Sequence, residues 1–119
     1  MATTRWQDIY NHLKQNGIDV YSPGQHQGEC TSPYVVVKFA GSLQLKQFSS
    51  TQALYYVLCY VPAERYSLLE EYVNQVKDVM RGLQPMIMPT HTETESYYDT
   101  DVHGHMISIE YRNSRKIPC

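Results

Sequence analysis

The chain has 119 residues, 42% hydrophobic and 18% charged, with ten Lys and Arg against twelve Asp and Glu for a formal charge of -2. That length specifies one domain with one modest core. The near-neutral charge leaves no electrostatic footprint for nucleic acid, and the longest apolar run, Ala53 to Pro62, is too short to cross a bilayer.

The chain opens with a helical stripe. Trp6, Ile9, Tyr10 and Leu13 fall at i, i+3, i+4 and i+7, Thr4 and Gln7 have capping-box spacing, and Asn16-Gly17 supplies a stop. This predicts a helix over Thr4–Asn16. Ile18–Tyr21 reads as a short strand and Ser22–Pro33 as a long loop. Tyr34–Phe39 is a predicted strand with Val35, Val37 and Phe39 facing inward. Gly41-Ser42 is a predicted turn, Leu43–Phe48 a partner strand, and Ser49-Ser50-Thr51 a second turn.

The strand Ala53–Val61 is apolar on both faces. Ala53, Tyr55, Val57, Cys59 and Val61 share one side; Leu54, Tyr56, Leu58 and Tyr60 share the other. A strand with one wet face alternates apolar and polar. The second set therefore needs a cover, from this chain or from another subunit.

Pro62 ends that strand, and Leu69, Tyr72, Val73, Val76, Met80 and Leu83 form the stripe of a helix over Ala63–Arg81. Glu64, Glu70 and Glu71 early, with Lys77 and Arg81 late, suit its dipole. Met86–Met88 reads as a short strand, Thr90–Asp101 as a polar loop, and His103–Arg112 as a final strand with His105, Ile107, Ile109 and Tyr111 on its apolar side. The expected order is α-β-β-β-β-α-β-β: an α+β domain over residues 1–119, with two helices on one face of a mainly antiparallel sheet.

Chemical constellations are sparse. His103-Gly104-His105 followed by Glu110 partly matches a cupin H-x-H-x4-E ligand run, which a small metal-dependent enzyme could use. The rest of that pattern is missing, and His105 falls on the apolar face opposite Glu110. A partly buried histidine beside an exposed one is the expectation, with no metal and no cofactor. Glu93, Glu95, Asp99 and Asp101 lack the spacing of an EF-hand and read as a solvated loop. No phosphate-binding glycine loop or nucleophile elbow occurs.

Cys30, Cys59 and Cys119 are odd in number and lack C-x-x-C spacing, which suggests reduced thiols. Arg5-Trp6-Gln7-Asp8 does not open a signal peptide. The expected place of synthesis is the cytoplasm. Eleven tyrosines, against two Phe and one Trp, suit half-buried contact surfaces.

In order and texture the chain resembles the tail terminator (tail-to-head joining) proteins of long-tailed phages. The likeness covers most of the length. It lies in the opening helix, in Ser32-Pro33-Tyr34-Val35-Val36-Val37, in Ala53–Val61 running through Pro62 into a helix, and in Tyr98–His105 leading to Met106–Arg112. The resemblance implies a non-catalytic ring, usually hexameric, that caps the finished tail tube and joins a head-side neck protein. It implies host cytoplasm during assembly and the virion afterwards. Another neck or minor capsid protein is the neighbouring alternative. Leu54, Tyr56, Leu58 and Tyr60 are the expected subunit interface. Gln25, His26, Glu95, Tyr97, Tyr98 and Asp99 are the expected partner contacts, on loops.

Overall fold

Helical periodicity in two segments and two-residue alternation in the longest strands produce two layers. A computed structural model describes residues 5–25, 28–45, 50–84 and 86–116. The elements in chain order are α1 (Arg5–Gln15), β1 (Val20–Tyr21), β2 (Tyr34–Leu45), β3 (Ser50–Pro62), α2 (Leu69–Met80), β4 (Met88–Glu93), β5 (Tyr97–Asp99) and β6 (Gly104–Lys116). The strands form one six-stranded sheet in the order β1-β2-β3-β6-β4, with β5 also on β6. Only β1 runs parallel to its neighbour. Both helices pack on one side, so the fold is α+β.

The core is the meeting of the two stripes with one sheet face. Ile9 and Leu13 of α1, and Leu69, Val73, Val76 and Met80 of α2, are buried against Val35, Val37, Ala53, Tyr55, Val57, Cys59, Val61, Ile109 and Tyr111. Ile87, just before β4, is fully buried in the same cluster. Trp6 and Tyr10 stack on each other at 5.2 Å, and the Trp6 indole N–H donates to the Val37 carbonyl at 2.8 Å. That bond satisfies a carbonyl on the outer edge of β2, where β1 pairs only with Val35 and Val36.

Several sequence expectations change. The chain does not turn at Gly41-Ser42. β2 continues through this point against β3, with the register shifting between Phe39 and Gly41. Gly41 has φ 103°, so a glycine there makes a bulge rather than a reversal. Leu43–Leu45 belongs to β2, and Ser50 and Thr51 belong to β3; positions 46–49 lie outside the described residues, as does the expected start at Thr4. Phe39 does not face into the core: it is 53% exposed beside the bulge, with its ring 5.5 Å from that of Tyr55.

The helix expected over Ala63–Arg81 is shorter. Ala63–Leu68 is 3-10 turn, broken at Arg65 (φ -121°, ψ 35°), and Arg81–Leu83 is 3-10 again. The apolar stripe begins only at Leu69, and none of the first six residues is buried. The strand expected at Met86–Met88 starts at Met88, and much of the expected loop Thr90–Asp101 is the rest of β4 and β5. One strand fewer precedes α2, and one more follows it.

Candidate functional site: the open face of the sheet

Strand pairing sets the second side of the sheet as rows across β2, β3 and β6. Tyr34, Tyr60 and Met106 form one row; Val36, Leu58 and Ser108 the next; Lys38, Tyr56 and Glu110 a third. Leu54 pairs with Arg112 beyond them. Among the described residues, neither helix contributes to this side.

The first row is covered by the chain itself. Tyr34 and Tyr60 are buried and stacked, ring centroids 4.7 Å apart and 8° from parallel, and Tyr21 meets Tyr34 edge-on at 5.6 Å. Cys30 and Val102 close over them, held together by the Cys30 N–H donating to the Val102 carbonyl at 2.6 Å. Burial, and then the negative charge of Asp99 and a hydrogen bond to it, push the Tyr60 hydroxyl up to about 12. Burial likewise raises the Cys30 thiol to about 11, which keeps it a thiol near neutrality rather than a nucleophile.

The other rows are open. Val36, Leu54, Tyr56, Leu58, Ser108 and Glu110 are half-buried and Lys38 and Arg112 are exposed, while Val36, Leu58 and the half-buried Met106 border the covered Tyr34–Tyr60 pair. Leu54, Tyr56 and Leu58 thus lie on one face without a cover, while Tyr60, expected beside them, is occupied inside the chain. An apolar patch flanked by Lys38, Glu110 and Arg112 has the composition of a protein contact surface: an apolar centre with a polar rim. The apolar-on-both-sides pattern of β3 was the signal in the sequence. The contribution of Val36 and Met106 from neighbouring strands was not legible without the register.

The other expected contacts gather at one end of the sheet. Tyr97 and Tyr98 are 57% and 41% exposed, and they lie on β5 rather than a loop. Pairing of β5 with β6 puts Tyr97 opposite Met106 on the open side, and Tyr98 opposite His105 on the helix side. His105 is held between the rings of Tyr66 (4.7 Å) and Tyr98 (5.1 Å). Asp99 accepts a bond from the Asp101 N–H at 2.9 Å, closing the β5–β6 turn, and Glu95 is exposed. Gln25 is exposed and closes its own turn, its Oε1 accepting from the Ser22 N–H at 2.8 Å. His26 lies outside the described residues.

The cupin-like residues do not converge. His103 sits in the turn with φ 53°, not on the strand, and its Nδ1 meets the Tyr98 hydroxyl at 3.3 Å. His105 is on the helix side and Glu110 on the open side. Among the described residues, no three His, Cys, Asp or Glu side chains are arranged to hold a metal. No helix among them is long and apolar enough to cross a membrane. No protein-family model matches the sequence, and no curated protein sequence matches it.

Proposed function

We propose that this protein is a structural assembly subunit of the phage tail terminator type. In this reading it closes into a ring, hexameric as is usual for that family, on the end of a finished tail tube. The ring stops polymerisation and presents a surface to a head-side neck protein. One observation carries the reading: helices cover one side of the sheet, while Leu54, Tyr56, Leu58, Val36 and Met106 leave an apolar patch on the other. The resemblance in the order of elements supports it.

The patch meets the neighbouring subunit, and the aromatic end at Tyr66, Tyr97 and Tyr98 meets the tube or neck partner. A repeated contact of this kind forms a ring only if the rotation between subunits closes. The free chain is expected to be monomeric and to assemble on a tube end.

Tyr56→Glu tests this. Tyr56 is half-buried on the open side, so its replacement leaves the core intact but puts a carboxylate beside Glu110. Tyr60 is unsuitable for the purpose, because Tyr60→Glu would place a charge in the Tyr34 stack. The Tyr56→Glu chain should melt near the unsubstituted temperature and fail to bind purified tube ends. Phage carrying it should make overlong tails or tails without heads. Normal tails from Tyr56→Glu would remove the patch as the interface. Normal tail length and joining after deletion of the gene would overturn the terminator reading.

A further inference from the structure

The rim of the open patch carries cations that the chain itself leaves unpaired. Lys38 on β2 and Arg112 on β6 are exposed, and neither takes part in an ion pair among the described residues. Glu110 shares the Tyr56 row with Lys38 but stands two strands away, roughly 10 Å. The patch is therefore apolar at Leu54 and Tyr56 and positive at its edges.

A complement to that surface lies elsewhere on the same chain. Where α2 begins, a concavity of about 400 Å3 opens between the turn before the helix and the link from β4 to β5, with Tyr66, Glu70, Glu95 and Ser96 in its walls. Glu70 and Glu95 are exposed; among the described residues neither is in an ion pair, and no Lys, Arg or His lines the space with them. Two other concavities have their charges already matched: Lys77 with Glu93 and Arg81 with Asp78 at one, Arg5 with Asp8 at the other. This recess holds one sign only. Tyr66 adds a ring that is 53% exposed yet fixed: its hydroxyl meets Ser96 at 3.1 Å, and its centroid lies 4.7 Å from that of His105.

We infer that the open patch docks on this recess of a second copy of the chain. Arg112 of one subunit enters between Glu70 and Glu95 of the next, its guanidinium against the Tyr66 ring, and Lys38 lies beside the same carboxylates. A planar guanidinium suits both a carboxylate and an aromatic face, which a compact ammonium does less well. Patch and recess are different surfaces, so the contact is heterologous: every subunit offers one of each, and the series ends only when a ring closes. The inference rests on the ring reading above and adds the neighbour's half of the interface. Tyr66 borders both the recess and the aromatic end, and Tyr97 and Tyr98 stay free for the tube or neck partner.

Charge reversal on each side tests the contact. One variant carries Glu70→Lys with Glu95→Lys, so both of its surfaces are positive; the other carries Lys38→Glu with Arg112→Glu, so both are negative. All four positions are exposed, and each variant should melt within a few degrees of the unsubstituted chain. Each alone should bind purified tube ends about tenfold more weakly or worse, because like charges then face each other. An equal mixture of the two should recover binding, since each variant meets the opposite sign on the other. The mixture should also associate more strongly than either variant in sedimentation velocity without tubes. Undiminished binding by either variant alone, or a mixture no better than its components, would overturn the contact. Loss of tube-end binding in the recess variant that the patch variant does not rescue would overturn it in favour of a basic segment of the tube or neck partner. Association of the mixture in solution, with no binding of the unsubstituted chain to tube ends, would uphold the contact and count against the terminator reading alone.

Discussion

His12 links the two helices through a single bond: its Nε2 lies 2.7 Å from the Val79 carbonyl at the end of α2. A carbonyl only accepts, so the imidazole carries its proton on Nε2. Gly82 permits this approach, since a Cβ there would come within 2.7 Å of the His12 ring. Gly82→Ala should cost about 1–3 kcal/mol through overpacking, and His12→Ala about 1 kcal/mol through the lost bond. In urea unfolding the double variant should cost less than the sum, because removing the ring removes the clash. Neither partner was legible in the sequence, where Gly82 stood only near the end of a helix. Ionisation is also decided at this scale. Burial raises Cys30 from 9.0 to about 11 and Tyr60 from 10.0 to about 12, and lifts Tyr34, Tyr72 and Tyr111 further. Each group binds its proton more tightly folded than unfolded, so its contribution is complete below the unfolded value and is lost as pH rises through the folded one. The melting temperature should therefore fall steadily above about pH 9, and Tyr60→Phe should reduce that fall between pH 10 and 12. A flat profile to pH 12 would contradict this.

The elements follow the sequence where their apolar faces are long and depart from it where local signals compete. α2 was legible because Leu69, Val73, Val76 and Met80 recur on one side, and all four are buried. Val76 is fully buried, so Val76→Asp should cost several kcal/mol and lower the melting temperature sharply. The segment before α2 carried one acidic residue, Glu64, that looked like part of a helix start, but it reports only helix polarity. The backbone there leaves helical geometry at Arg65, and the Tyr66 ring is directed at His105 while its hydroxyl meets Ser96 at 3.1 Å. Gly41 is the clearest reversal of expectation. Glycine-serine marks a turn or a bulge equally well from sequence, and only the register across β3 distinguishes them. Gly41→Val would force a branched residue to φ 103°. It should cost at least 1 kcal/mol by thermal unfolding, although no Cβ contact opposes it.

As a whole the molecule is long, 52 × 29 × 24 Å, with a radius of gyration of 15.0 Å against about 13.5 Å for a compact chain of this length. The cause is a mismatch of layers. A 13-residue strand extends roughly 44 Å, whereas the 12-residue α2 extends roughly 18 Å. The helices therefore cover only part of the sheet's inner side and none of its outer side. That shape makes the open face available for assembly and sets the scale of the main prediction: Tyr56→Glu should leave the chain folded while removing tube-end binding, as measured by melting and co-sedimentation. The aromatic end adjoins that face, where Tyr97 pairs with Met106. Tyr97→Ala should not alter melting, because 57% of that residue is already exposed. It should weaken only the contact with the tube or neck partner.

By itself the sequence determined that the chain is α+β, which faces of α1, α2 and β3 are apolar, and that β3 needs a cover on both sides. Those properties are periodic, and period is local to a segment. Tertiary structure decided how that second cover is divided. The loop carrying Cys30 closes over Tyr34 and Tyr60, whereas Leu54, Tyr56 and Leu58 stay open, because the loop reaches only one end of a long strand. It also decided that His103, His105 and Glu110 separate, since a turn, the helix side and the open side receive one each.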